Sequence, residues 1–433
     1  MKNASLNSHL KSIAFLFILT ALFGYSLDSY AIIQQENSNQ EQSYTEYKGK
    51  VLDSNTNKPL VFADVTVVST NIGTITNKEG NFSLKIPEQH LNKNVSISYL
   101  GYETKVLQLT SFDDKTLKIL LKQVTTKLDI VNLNAPKNAK TLVEMALDNS
   151  RGNYLKDKTD MTAFYRETIK KGKKNASLAE AVVNIIKQPY NKNKNDAVEL
   201  IKSRKNTNYS KLDTIALKLQ GGPYSTLYSD MVKYPKYVFS EDFFQYYKFS
   251  FGPSTQINNR KVYVVNFEQL KNVVTPLYYG KLFIDAESYS LVSAVYQLNM
   301  ENKSEAIKLF VKKKPSRVWV EPLEASYRVD YRLSNGKWHY SYSNIQLGFR
   351  VRWRKKLFGS NYTLNVEMAV TDWEKNLGEE ISTKERIKPS IILSNEASGF
   401  TDPEFWGEYN IIEPDKSIES AIKKISKQLK RDN

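Results

Sequence analysis

The sequence predicts a mainly β protein: a small N-terminal β-sandwich, then a large antiparallel sheet that must curve, with a few helices between and after them. Three observations carry this. Apolar and polar residues alternate in short runs closed by Gly, Asn, Asp and Pro. Aromatic residues make up 12% of the 433 positions, 27 of them tyrosine, which suits pleated, half-buried surfaces. Two-residue hairpin signals recur, the clearest being Asn335-Gly336.

Residues 47–122 hold the first set of strands. Ala63, Val65 and Val67 point one way and Asp64 and Thr66 the other, as a strand with one face in a core requires. Phe82, Leu84 and Ile86 repeat the pattern after Asn77-Lys78-Glu79-Gly80, where Gly80 can take the positive φ of a tight turn. About seven strands at this turn spacing predict a small antiparallel sandwich. The residues Gly49-Lys50-Val51-Leu52-Asp53, Lys58-Pro59-Leu60, Ala63-Asp64-Val65, Gly73-Thr74, Thr76-Asn77 and Gly80-Asn81-Phe82, with Ser98-Tyr99-Leu100-Gly101-Tyr102 later, resemble the carboxypeptidase regulatory-like domain. That resemblance implies a transthyretin-like sandwich at the front of an envelope protein. It implies a folded module and no peptidase activity.

The cellular address is expected from the N-terminus. Lys2 and Lys11 flank or precede an apolar run, Ile13 to Phe23, too short to span a bilayer, and Ser29-Tyr30-Ala31 fits a cleavage site. Residues 1–31 therefore read as a signal peptide, and the expected location is the periplasm or the outer membrane. Residues 32–46, polar and rich in Gln, Asn and Ser, read as a flexible leader. The net charge of +16 suits either plain solubility or an anionic partner. Export argues against nucleic acid and leaves an envelope lipid, a glycan or an outer-membrane protein, with peripheral membrane contact.

Residues 123–160 read as a linker with a short helix over Lys140 to Asn149, where Leu142, Met145, Ala146 and Leu147 gather on one side. Residues 161–374 return to strands. Thr162 to Ile169, Leu178 to Lys187 and Ala197 to Arg204 come first; the second is Ala-rich and also fits a helix. Gly221-Gly222-Pro223 breaks the chain before a short helix expected around Tyr228 to Lys233. Hairpins follow around Asn258-Asn259, Asp285-Ala286-Glu287-Ser288 and Asn335-Gly336, and Tyr362 to Asp372 adds another strand. So many strands must curl or stack. The hairpin Tyr279 to Asp285 with Ser290-Leu291-Val292 is similar to one in half-barrel lipoprotein carriers, which implies a curved sheet around an apolar cavity. With Phe164-Tyr165-Arg166-Glu167 and Asp402-Pro403-Glu404-Phe405-Trp406, the whole arrangement looks like a family of exported proteins that begin with the regulatory-like domain. Residues 375–433 form an extension. In it, Ile418, Ile422, Ile425 and Leu429 share one face of a basic helix that can dock on its own domain or lie on a membrane.

The chemistry is sparse. There is no cysteine, which removes disulfides, thiolate metal sites and cysteine nucleophiles. His90 and His339 lack metal-ligand spacing and read as surface residues, and neither G-x-S-x-G nor a Gly-rich phosphate loop is present. No catalytic residue, metal or cofactor is therefore expected. A carboxylate-pair hydrolase stays open only through residues such as Glu167, Asp285 and Glu287, the last two expected in solvent. The pattern that stands out is Phe349 to Lys356. On a strand, Arg350, Arg352 and Arg354 project from one face while Phe349, Val351 and Trp353 pack on the other. Three guanidinium groups in a row suit bidentate anion binding, or else guard an edge strand against aggregation. The expectation is a non-enzymatic envelope binding or carrier protein for an anionic or amphiphilic component. A structural adaptor on an outer-membrane protein is the main alternative.

Overall fold

A computed structural model describes residues 43–112, 116–124, 136, 138–148, 152–207, 220–311, 314, 316–354, 356–378, 380–397, 405–420 and 422. The expected signal peptide, most of the leader and residues 125–135, 137 and 149–151 of the linker lie outside the described residues, as does the tail helix beyond Ile422.

The alternation in residues 47–122 produces two small sheets. Strand β1 (Tyr44–Asp53) lies between β4 (Asn81–Pro87) and β7 (Leu117–Leu121). Strands β2 (Asp64–Val67), β3 (Gly73–Ile75), β5 (Asn94–Ser98) and β6 (Lys105–Gln108) form the other sheet, in the order β3-β2-β5-β6. Val65, Val67, Phe82, Leu84, Ile86, Val95 and Ile97 fill the space between them. Gly80 has φ +78, and a Cβ there would lie 2.5 Å from the Val51 carbonyl oxygen, so only glycine fits this turn. The sandwich is not wholly antiparallel, because β1 pairs parallel with β7. The chain crosses to the second sheet between them, which frees the last strand from the direction a hairpin would impose.

Helix α1 (Ala139–Asp148) comes next, burying Leu142, Val143 and Ala146. Ten strands then build one curved sheet that does not close into a barrel. These are β8 (Thr159–Lys171), β9 (Lys174–Lys187), β10 (Ala197–Thr207), β11 (Tyr247–Ile257), β12 (Arg260–Gln269), β13 (Tyr278–Asp285), β14 (Leu291–Leu298), β15 (Val318–Ser334), β16 (Lys337–Trp353) and β17 (Ser360–Lys375). Their order is β10-β9-β8-β17-β16-β15-β14-β13-β12-β11, so β17 returns to pair with β8 and joins two meanders. The Ala-rich segment is strand β9. Both its faces are covered, so Ala179, Ala181 and Val183 are as buried as Val182 and the alternation is lost. The turn pairs Asn258-Asn259 (φ 49 and 58) and Asn335-Gly336 (φ 49 and 71) adopt the left-handed geometry that two-residue hairpins need.

The helix expected at Tyr228 to Lys233 starts earlier, as α2 (Pro223–Leu227), with α3 (Glu241–Phe244) further on. Pro223 occupies the first helical turn, where its fixed φ and missing N–H cost nothing, and this sets the start. Helix α4 (Lys303–Phe310) precedes β15, and α5 (Leu393–Glu396) lies in the extension.

The two faces of the curved sheet are covered differently. Met161, Ala163, Tyr165, Val183, Ile185, Tyr340 and Met368 face the main core, which also takes in α1 and α2. From the opposite face Phe164, Val182, Tyr342 and Ala369 meet Ile75 of the sandwich and Trp406 and Ile412 of the extension. Arg332 clasps Asp64, Asn71 Nδ2 donates to the Trp373 carbonyl at 2.6 Å, and Phe62 packs on Tyr342 with ring centroids 4.9 Å apart. The extension ties the junction: Asn410 bonds both the N–H and the carbonyl of Lys85, and Thr74 Oγ1 donates to the Ile411 carbonyl.

Candidate functional site

Strand β16 carries the arginine row to the end of the sheet farthest from the hairpin turn at Asn335. Phe349 and Val351 are buried in a satellite core with Val318, Tyr362 and Leu364, and this anchors the strand from behind. Arg350 and Arg352 project from the opposite face and are exposed; Arg354 is exposed one residue past the strand. Of the three arginines expected on one strand face, Arg350 and Arg352 share it and Arg354 lies beyond its end. By strand parity the pair shares a face with Tyr342, the face on which the sandwich sits further along.

Cross-strand pairing decides what surrounds each arginine. Arg352 lies opposite Trp319 of β15, with its guanidinium 5.3 Å from the ring centroid. Arg350 lies opposite Glu321, with Nη1 3.7 Å from the carboxylate, and its Nε donates to Asn361 Oδ1 at 3.3 Å. Among the described residues that line this end, Glu321 is the one acidic side chain. The hydrogen bond from Lys303, at 2.6 Å, holds it below the usual carboxylate range. Like-charge repulsion along the row is thus offset once, at Arg350, in solvent where such pairs contribute little. Trp319, Glu321, Arg350, Arg352, Leu357, Phe358 and Gly359 line an open cleft of about 470 Å³.

Two neighbouring loops add charge at the same end. The turn after β8 is fixed by Gly172, whose N–H donates to the Asn361 carbonyl at 2.9 Å; it presents Lys173 and Lys174 to solvent. The chain before β15 brings Arg317, whose carbonyl accepts from Arg354 N–H at 3.0 Å. The basic pattern ends at Lys356, and sequence reasoning misses the two residues beyond it. Leu357 and Phe358 are 91% and 84% exposed. Two consecutive apolar residues at a turn of a polar strand end are a legible signal, because ordinary turns are polar.

The carboxylates weighed for catalysis are occupied. Asp285 is buried, not solvated as expected: Arg260 grips it in a fork at 2.7 and 2.8 Å and also pairs with Glu287, while Asp285 caps the turn through Ser288 N–H. Glu167 is buried on the main-core face, where it accepts a hydrogen bond from Tyr165 at 3.0 Å. His339 is a second correction. It is buried, its ring tilted against Trp373 with centroids 4.5 Å apart, and burial aided by the Arg332 charge pushes its pKa down to about 3. Its alternation along β16 was legible, but not that the sandwich covers that end of the strand. Among the described residues, no three His, Cys, Asp or Glu side chains are grouped to hold a metal ion, and no helix is long and apolar enough to cross a membrane.

Burial raises the Glu167 pKa to about 7 against the lowering effect of the Tyr165 hydrogen bond. The unfolded carboxyl, near 4.5, ionises first as pH rises, so stability from this group is complete below pH 4.5 and falls until about pH 7. Glu167→Gln cannot ionise. Relative to the parent it should therefore gain about 3 kcal/mol between pH 4.5 and 7 and then level off. Denaturant melts across that range check it; a constant difference would contradict the assignment.

Comparison with known proteins bears chiefly on the sandwich. A Desulfovibrio piger protein of the DUF1329 family aligns in structure over 57% of this chain and 96% of its own, at 9% identity and a TM-score of 0.24. A 9R-lipoxygenase from Cyanothece aligns over 84% and 48%, at 10% identity and a TM-score of 0.15. No curated protein sequence matches the chain. Residues 47–133 match the family model of the CarboxypepD_reg-like domain, and the N-terminal sandwich is a domain of that family.

Proposed function

We propose that the protein is a non-enzymatic, exported protein of the cell envelope that holds an anionic component at the cationic end of its curved sheet. The observation that carries this reading is the cleft in which Arg350 and Arg352 stand side by side on a strand anchored from behind by Phe349 and Val351. Guanidinium forks suit phosphate or carboxylate oxygens bidentately, and their rigid backing lowers the entropy lost on binding. Lys173, Lys174 and Arg317 at the same end extend the positive field and steer an anion toward the cleft.

The test is calorimetric titration with inositol hexaphosphate, a soluble anion without acyl chains. Arg350→Gln, Arg352→Gln and Arg354→Gln combined should weaken binding at least about tenfold, since charge-assisted hydrogen bonds are lost. The melting temperature should hold or rise, because exposed like charges at this spacing destabilise. Equal binding by parent and triple variant would reduce the row to a solvated strand face.

A further inference from the structure

We infer that the anionic partner is a bilayer containing anionic phospholipid, and that Leu357 and Phe358 enter its acyl region while the arginines meet the phosphate groups. This rests on the anion-binding reading and adds the class of partner. Two features separate a bilayer from a soluble anion. The first is the apolar tip. Leu357 and Phe358 are 91% and 84% exposed at the outermost point of the β16–β17 hairpin, beside Trp319, itself 49% exposed. A soluble anion offers nothing for these side chains to bury against. A bilayer offers phosphate at one depth and hydrocarbon just beneath it, with an interfacial zone that aromatic rings prefer.

The second is the way the tip is mounted. Its base is held by Lys356 N–H donating to the Trp353 carbonyl at 2.9 Å and by Arg354 N–H donating to the Arg317 carbonyl. The satellite core on the far side of β16 is already filled by Phe310, Phe349 and Tyr362, so the tip has no internal place to fold into. Arg350 and Arg352 line the same cleft as the apolar pair, and near an anionic membrane each contributes attraction that fades within a Debye length. In this pose β16 runs away from the surface. Tyr342, which packs on the sandwich, lies eleven residues back from Trp353, or roughly 35 Å along the strand, so the sandwich stands clear of the lipid.

The test uses the full chain and vesicles of phosphatidylcholine with or without phosphatidylglycerol. The parent should partition onto the mixed vesicles and not onto phosphatidylcholine alone. Leu357→Ser with Phe358→Ser should cut that partition at least about thirtyfold, from the apolar area removed. Because the chain contains no cysteine, Phe358→Cys can carry a single environment-sensitive fluorophore. Its emission should shift to the blue on mixed vesicles and be quenched by lipids brominated in the acyl chain. The same label at Val106→Cys, exposed on the sandwich, should stay unchanged. Unchanged partition of the double serine variant, or a label at 358 that remains in water, would overturn the inference. Hexaphosphate binding without vesicle binding would also overturn it and assign the tip to a protein partner. Loss of both in the parent would instead overturn the anion-binding reading beneath it.

Discussion

Arg166→Met should destabilise the protein by about 3–5 kcal/mol in a denaturant melt at neutral pH, the range for removing one partner of a buried ion pair. Arg166 is 1% exposed in the middle of the sheet. Its Nε donates to Glu180 at 2.7 Å, its Nη1 to Glu367 at 3.2 Å and its Nη2 to the Ile412 carbonyl at 2.7 Å. Arg204 grips the second oxygen of Glu180 at 2.8 Å, so two cations hold two carboxylates. Methionine fills much of the same volume but leaves Glu367 without its cation and the Ile412 carbonyl without a donor. Because Ile412 belongs to the extension that straps the sandwich to the sheet, proteolysis near residues 405–418 should also quicken. Arg166→Met with Glu367→Gln should recover part of the loss, since the orphaned charge is gone. A loss below about 1 kcal/mol would mean that the cluster is open to water.

Lys187→Met should be the second large effect, again about 3–5 kcal/mol and nearer the lower value. Lys187 is 1% exposed, with its ammonium 2.9 Å from Asp196 and 2.8 Å from Asp230. Burial disfavours its charge, but the two carboxylates more than offset that and hold its pKa above the ordinary lysine value. The aspartates would not be left bare. Asp230 also accepts from Tyr190 and Tyr331, each at 2.8 Å, and Asp196 accepts from Tyr234 at 2.9 Å. Those hydroxyls explain why the loss should be smaller than for Arg166. Urea melts of the two variants side by side give the order, and the reverse order would contradict it.

What could be read from the sequence was local. Asn258-Asn259 and Asn335-Gly336 announce their hairpins because the turn itself demands left-handed backbone. Ala63, Val65 and Val67 announce a strand because they fill the sandwich core while polar Asp64 and Thr66 take the other, half-buried side. The arginine row was visible through the same alternation: Phe349 and Val351 are buried and Arg350 and Arg352 exposed at the one end of the strand whose other face is open. What was not legible depends on neighbours distant in sequence. Arg166 meets Glu367, 201 positions later, and nothing in Phe164-Tyr165-Arg166-Glu167 says that this arginine is buried while the glutamate beside it faces an apolar core. His339 and Asp285 read as surface residues until the sandwich and Arg260 are put in place. Strand β9 lost its period because both faces are covered. Leu357 and Phe358 were legible one by one, but they gained meaning only when β15 brought Trp319 into one cleft with them and with Arg350 and Arg352.

The central claim, that the cationic sheet end binds an anion, is tested most directly by the salt dependence of inositol hexaphosphate binding to the parent chain. If Arg350, Arg352 and Arg354 carry the contact, affinity should fall steeply as salt rises from about 50 to 200 mM, because the attraction is partly screened over a Debye length of about 10 Å. The triple glutamine variant should show a much flatter dependence over the same range. A parent whose affinity is independent of salt, or a variant whose dependence matches it, would contradict the account.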